Sequence, residues 1–346
     1  MKILYGIQGT GNGHLSRAQE LIPAFRNYAH VDVLISGNQS QLVTDLDFNY
    51  SLRGLTFVTG KRGGISFPGT LRNFNPRTFI NDVRNLPVEK YDLIISDFEP
   101  ITAWAGRLRG KKVIELSHQA GAKHPNAPKP DRSFGLGKFI LNNYCPSNQE
   151  FGFHFESYAP SIFTPVIRRS IRELNPKQGS FNLVYLPSYG DEQILKFLRN
   201  FDSEWCVFSK FTKSIKRVDN VFFHPIDQTE FLKSLEKCNG VLCGAGFELP
   251  AEAIYLQKKL MVIPISGQYE QYCNAEALKS LGFCVIEDLD LIHYRFVNNW
   301  LNTQPKIAIN YEDNVELIAQ KVLGYPTESK VVINGPENNL LLASTS

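Results

Sequence analysis

What the sequence lacks narrows it first. No window approaches the roughly 18 consecutive apolar residues of a membrane-spanning helix. The N-terminus, Met1 to Gly9, turns glycine-rich before an apolar signal core forms. The six cysteines, Cys145, Cys206, Cys238, Cys243, Cys273 and Cys284, contain no Cys-x-x-Cys pair. No His stands at zinc-ligand spacing from a cysteine cluster, so they read as reduced, mostly buried thiols. A surplus of charge is missing too. Lys plus Arg is 37, Asp plus Glu is 34, and the net charge is +3. That balance argues against a dedicated nucleic-acid binder. The expectation is a cytoplasmic protein with no nucleic-acid partner.

What is present is ample for packed cores. The chain has 346 residues, 43% of them apolar, a length comfortable for two domains. Its charge is asymmetric: residues 1–170 carry 20 Lys/Arg against 13 Asp/Glu, and residues 171–346 carry 17 against 21. A basic half joined to an acidic half points to different partners for each.

The first forty residues read strand, glycine loop, helix, strand. Ile3–Ile7 is an apolar run, and Gly9–Gly13 is the loop. Ala18, Leu21, Ile22 and Phe25 share a helical face, and Val31–Ser36 is the second strand. Alternation continues through Asp92–Asp97, Ile101–Leu108 and Lys112–Ser117. A second series starts near Phe181 and runs through strands at Asn182–Leu186, Trp205–Ser209, Gly240–Cys243 and Leu260–Ile265. Such alternation predicts parallel sheets covered on both faces, with ligands beyond the carboxyl ends of the strands. The expected division is 1–165, a linker at 166–180, a second domain at 181–330 and a polar tail at 331–346.

The glycine loop is Gly9-Thr10-Gly11-Asn12-Gly13-His14. A dinucleotide fingerprint would need glycine where His14 stands and an acidic residue where Ser36 ends the second strand. A Walker loop also fails, because Gly54 is misplaced before Lys61 and Arg62 stands where Ser or Thr should be. What remains is a flexible loop carrying a histidine to a cleft mouth, where an imidazole suits a general base. Asp97 ends another strand at the same edge and would orient that ring. Ser117-His118-Gln119 closes the next strand there, so His118 and Gln119, with Gly11, Asn12 and Gly13, are acceptor-side candidates.

In the second half, Cys243-Gly244-Ala245-Gly246-Phe247-Glu248 joins a strand to a helix through small residues. Backbone amides and the positive end of a helix dipole there suit a diphosphate. Glu252 lies about a turn further, placed for a vicinal diol. Glu270 and Gln271 open a later helix with side chains able to bond sugar hydroxyls. The triplets Asp45-Leu46-Asp47 and Asp288-Leu289-Asp290 read as solvated turns rather than cation sites.

These motifs together resemble the GT-B glycosyltransferases, especially family 28 and the related UDP-glucuronosyltransferases. The resemblance rests on Gly11-Asn12-Gly13-His14, on Gly244–Gly246 followed by Glu252 and Pro264, and on Glu270-Gln271 with Asn274-Ala275. It implies an α/β fold of two doubly wound Rossmann-like domains facing across a cleft. It implies a metal-independent, inverting transfer from a nucleotide-sugar, UDP-linked, with no cofactor beyond that substrate. Gly244, Ala245, Gly246 and Phe247 would hold the diphosphate, Glu252 the ribose, Glu270 and Gln271 the sugar, and the backbone near Ile226 the base. Ser188 would take a phosphate, although Leu186–Gly190 departs from the family's Gly-Gly-Ser. The basic loop 59–72, with Lys61, Arg62 and Arg72 among Ile, Phe and Leu, is either an ordinary solvated loop or a weak peripheral contact for an anionic or lipid-linked acceptor at the inner face of a membrane. Two other classes stay open: a UDP-sugar 2-epimerase of the same architecture, and a non-catalytic nucleotide-sugar-binding protein.

Overall fold

The computed structural model describes residues 1–10, 12–37, 46–54, 75–131, 135–303 and 308–326. Gly11, Asp45, the basic loop with Lys61, Arg62 and Arg72, and the tail 331–346 lie outside the described residues.

Two seven-stranded sheets follow one another along the chain. The first holds β1 (Lys2–Gln8), β2 (His30–Ser36), β3 (Tyr50–Leu52), β4 (Leu93–Asp97), β5 (Val113–Ser117), β6 (Gln149–Phe153) and β7 (Ile162–Phe163). Its order is β3-β2-β1-β4-β5-β6-β7, and every pair is parallel. The second holds β8 (Phe181–Tyr185), β9 (Glu204–Ser209), β10 (Lys216–Val218), β11 (Val221–Pro225), β12 (Gly240–Gly244), β13 (Lys259–Ile263) and β14 (Cys284–Val285). Its order is β10-β11-β9-β8-β12-β13-β14, antiparallel only between β10 and β11.

Among the parallel strands each order reverses direction once, between β1 and β4 and between β8 and β12. At such a point neighbouring connections leave on opposite faces and open a crevice at the carboxyl ends. The reversal in the first sheet puts the loop after Gln8 beside Asp97, since Ile7 and Asp97 are register partners. In the second sheet it puts the loop after β8 beside the turn after Gly244.

The central strands β1, β4, β5, β12 and β13 are buried on both faces, as parallel strands covered by helices must be. In β1, Ile3, Tyr5 and Ile7 point into one apolar cluster and Leu4 into the other. Gly6 is dictated by contact: a Cβ there would collide with Thr102 Oγ1 of the helix Pro100–Leu108. That helix starts on Pro100 and is capped by Glu99, whose carboxylate accepts from Ile101 N at 2.9 Å and Thr102 N at 2.6 Å. The helix Val315–Leu323, assigned from sequence to the second domain, packs back on the first. Gln320 Nε2 donates to Tyr28 Oη at 2.9 Å, and the Tyr28 and Tyr325 rings lie 5.0 Å apart.

Candidate functional site

The helix Asn12–Arg26 delivers two side chains to the same corner, because residues three apart share a helical face. His14 Nδ1 meets Asp97 Oδ1 at 2.8 Å. Arg17 Nη2 donates to Asp97 Oδ1 at 2.7 Å and Oδ2 at 3.0 Å, and its Nε to Oδ2 at 3.2 Å. Asp97 is fully buried. The expected His14–Asp97 pair is therefore present, and Arg17 joins it as a third member. The next residue, Phe98, takes a left-handed backbone (φ 53°). A non-glycine residue there is strained, and strain of this kind gathers at functional sites.

Burial alone would push the Asp97 carboxyl up. The Arg17 guanidinium and the His14 ring outweigh it and hold the group below its ordinary value. Burial works against the Arg17 charge, but Asp97 and Glu248 reverse that and keep it protonated. Glu248 is the opposite case. Burial, with Glu252 and Asp97 nearby, lifts its carboxyl to about 7 against the pull of Arg17. Its side chain still keeps 19% of its surface open to the cleft.

Across the corner stands the second domain. Phe247 is the N-cap of the helix Glu248–Tyr255 and supplies no side-chain cap, so the Glu248 and Leu249 amides ahead of Pro250 receive none. Arg17 Nη1 donates to Glu248 Oε1 at 2.5 Å. His118 stacks on Phe247, centroids 3.9 Å apart, and its Nε2 meets Asn274 Oδ1 at 2.8 Å. Gln119 Nε2 donates to Glu270 Oε2 at 2.9 Å. Gln271 accepts from Ile265 N at 2.9 Å, and Asn274 Nδ2 donates to Ala245 O at 3.1 Å, so this helix fixes the turn it faces. A cleft of about 390 Å³ lies between, with His14, Gln119, Phe247, Glu248 and Glu270 on its walls and Phe98, Ile140, Leu141 and Tyr269 adding apolar surface.

Several expected residues are held by protein partners or lie off the walls of this cleft. His118 lines the cleft but is buried, with its ring nitrogens on Phe153 O at 2.9 Å and on Asn274 Oδ1 at 2.8 Å, so it also ties the two domains together. Glu252 is only 4% exposed, and Arg168 holds both of its oxygens at 2.6 and 2.9 Å. The linker thus closes on a carboxylate that the sequence reading left open to a diol. Ser188 and Ile226 are at the carboxyl edge of the second sheet but not on the walls of this cleft. Asn12 is also off those walls, whereas Gly13 is on them. Asp290 caps the short 3₁₀ turn Leu291–His293, and Asp288 pairs with His293 at 3.3 Å, so that triplet is a turn. Among the described residues no cluster of three or more His, Cys, Asp or Glu side chains is arranged to hold a metal.

Sequence reasoning missed Arg17 and Glu248. The available signal for Arg17 was a cation one helical turn after His14, on the face that carries Leu21.

The profile described as Glycosyl transferase family 1 matches residues 1–305. Solved structures agree in fold. The Arabidopsis thaliana protein UGT89C1, complexed with UDP, superposes with a TM-score of 0.57 at 14% identity, over 93% of this chain and 94% of its own. MurG of Acinetobacter baumannii gives 0.55 at 12%, over 94% and 99%. The glycosyltransferase SnogD of Streptomyces nogalater gives 0.52 at 13%, over 94% and 99%. These are GT-B folds, as the two facing Rossmann-like sheets are here. No protein of curated function matches in sequence. Among the described residues no helix is long and apolar enough to cross a membrane.

Proposed function

The chain belongs to glycosyl transferase family 1 and is a glycosyltransferase, and on that premise we propose that it moves a sugar from a UDP-sugar to an acceptor hydroxyl, with inversion and without a metal. The observation that carries the reading is the His14–Asp97 pair, 2.8 Å apart, with His14 lining one cleft together with Phe247, the N-cap that ends the Gly244–Phe247 turn and carries no side-chain cap.

With Nδ1 directed at Asp97, His14 Nε2 is the atom left to take the acceptor's proton. The deprotonated oxygen attacks the anomeric carbon from the face opposite the diphosphate. The C–O bond to phosphate breaks, its electron pair leaves on the diphosphate, and the configuration inverts. Asp97 stabilises the imidazolium. First-turn amides and the helix dipole meet the departing charge, the task a divalent cation performs in other transferases. A UDP-bound structural relative supports the choice of nucleotide.

Glu270 and Gln271 are the proposed sugar contacts. Glu252 is the proposed ribose contact, through lone pairs that Arg168 does not use. Gln119 Oε1 is buried with no hydrogen-bond partner among the described residues, and an acceptor hydroxyl would satisfy it. The apolar wall of Phe98, Ile140, Leu141 and Tyr269 favours a lipid-linked acceptor over a wholly polar one.

The test is incubation with UDP-glucose, UDP-N-acetylglucosamine, GDP-mannose and dTDP-glucose, reading released nucleotide, with His14→Ala alongside. Release of UDP, lowered by about 10²–10⁴ in the variant, is expected. Conversion of one UDP-sugar into another without release would make the protein an epimerase. Binding without turnover would make it a carrier.

A further inference from the structure

The Arg17 side chain touches both the base's partner and the donor domain. Its guanidinium holds Asp97, donates to Glu248 at 2.5 Å, and lies 3.2 Å from His14 Nδ1. It is almost wholly buried, with the Phe153 ring 5.0 Å beneath it. Glu248 belongs to the helix that begins at the donor turn, so the Arg17–Glu248 pair exists only where the two domains meet. The approach there is close. A Cβ on Gly13 would stand 2.9 Å from Glu248 Cγ, so glycine is what lets the first turn of the helix Asn12–Arg26 seat against this side chain.

We propose that Glu248 is a positioning residue that, through the Arg17 guanidinium, sets the basicity of His14, so that the base reaches working strength only when the donor turn is docked against the first domain. The inference rests on the reading of His14 as general base. The physics is a balance of charges. A cation 3.2 Å from the ring disfavours the imidazolium, and a carboxylate on that cation's far side cancels part of its field. With Glu248 withdrawn, Arg17 bears more heavily on His14 and weakens it as a base. Glu248 opens the helix that follows the proposed donor turn, so docking of that turn against the first domain would bring the base to strength where the sugar is held.

Among the described residues the charged groups facing His14 are few. Arg17 comes from its own helix, Asp97 from β4 and Glu248 from the second domain. Glu270 stands one step further, behind Gln119, whose Nε2 is 3.5 Å from His14 Nε2. Burial lifts the Glu248 carboxyl to about 7 against the pull of Arg17, so its compensating charge is full only above that pH and fades as the pH falls through it.

Two substitutions flank the same ion pair and move the ring oppositely. Glu248→Gln keeps shape and removes the compensating charge. Arg17→Met removes the cation. The measurement is an NMR titration of the histidine rings of the full chain with UDP present, the His14 signal being identified by its loss in His14→Ala. The expected result is a His14 midpoint lower by about one unit in Glu248→Gln and higher by a similar amount in Arg17→Met. No movement, or movement in the same direction, would overturn the proposal. If Arg17→Met fails to fold, Glu248→Gln decides alone, because that side chain is partly exposed. The titration needs no turnover, so it stays separate from the base assignment. Opposite shifts together with full activity in His14→Ala would refute the base role. Absent shifts with an inactive His14→Ala would refute only the relay.

Discussion

Replacing Asp97 by Asn keeps the outline of the side chain and removes its charge. Asp97 is fully buried and takes its hydrogen bonds from His14 at 2.8 Å and from Arg17 at 2.7, 3.0 and 3.2 Å. Removing one partner of a buried ion pair costs about 3–5 kcal/mol. Arg17 keeps Glu248, so the lower end, about 3 kcal/mol, applies. At about 2–4 °C per kcal/mol, the melting temperature should fall by about 6–12 °C at pH 7. Catalysis should suffer as well. Arg17 will claim the amide oxygen of the Asn and turn its NH₂ toward His14 Nδ1. That favours the tautomer with its proton on Nε2, which cannot act as base, and the rate at saturating donor should drop by about 10²–10⁴.

The pH dependence fixes the cause. The Asp97 carboxyl is held below its ordinary value, because Arg17 and His14 outweigh the upward push of burial. A depressed carboxyl contributes stability that is fully present above its unfolded value, about 3.9, and is lost as pH falls through the lower folded value. The gap in melting temperature between wild type and Asp97→Asn should therefore hold from pH 7 down to about pH 4 and close below that. Calorimetry across this range measures it. Equal melting temperatures at pH 7, or a gap that persists unchanged well into acid, would refute the assignment of the loss to this charge.

Further outcomes follow from the same geometry. Glu252→Ala should lower the melting temperature, because it strands Arg168, and should weaken UDP binding about ten- to hundredfold if the carboxylate also holds ribose; calorimetric titration with an unchanged affinity would leave it a tie between linker and helix alone. Gly13→Ala puts a Cβ 2.9 Å from Glu248 Cγ and should cost about 1–3 kcal/mol by pushing the Glu248 side chain off its seat on Arg17, read as a lower melting temperature with slower nucleotide release. Burial lifts the Glu248 carboxyl to about 7, so folding takes up a proton between about pH 4.3 and about pH 7 and the protein should lose stability as pH rises through that window; a Glu248→Gln variant with the same slope would contradict this. Added EDTA should leave nucleotide release unchanged in wild type, and a large loss would place a metal in the reaction.

Part of this site was legible because it is local. Ile3–Ile7 announces a buried strand, the glycines announce a close turn, and His14 and Asp97 each stand at the carboxyl end of a strand, where an α/β sheet opens its crevice. The small residues of Gly244–Gly246 before a helix carry the same message. Elements with weaker patterns were not read. β6 begins with exposed Gln149 and Glu150 before its buried Gly152 and Phe153, and β7 is two residues long. Neither shows the unbroken apolar run of a central parallel strand.

The remaining residues owe their roles to docking. On its own helix Arg17 is an ordinary cation and Glu248 an ordinary first-turn carboxylate suited to the helix dipole. Their partnership spans 231 positions of sequence. Glu252 looks solvated until Arg168, in a segment read only as a connector, closes over it. Periodicity tells which face a residue takes within its own element. It does not tell which distant element that face will meet, and at this cleft that meeting turns a histidine and an aspartate into a network reaching both domains.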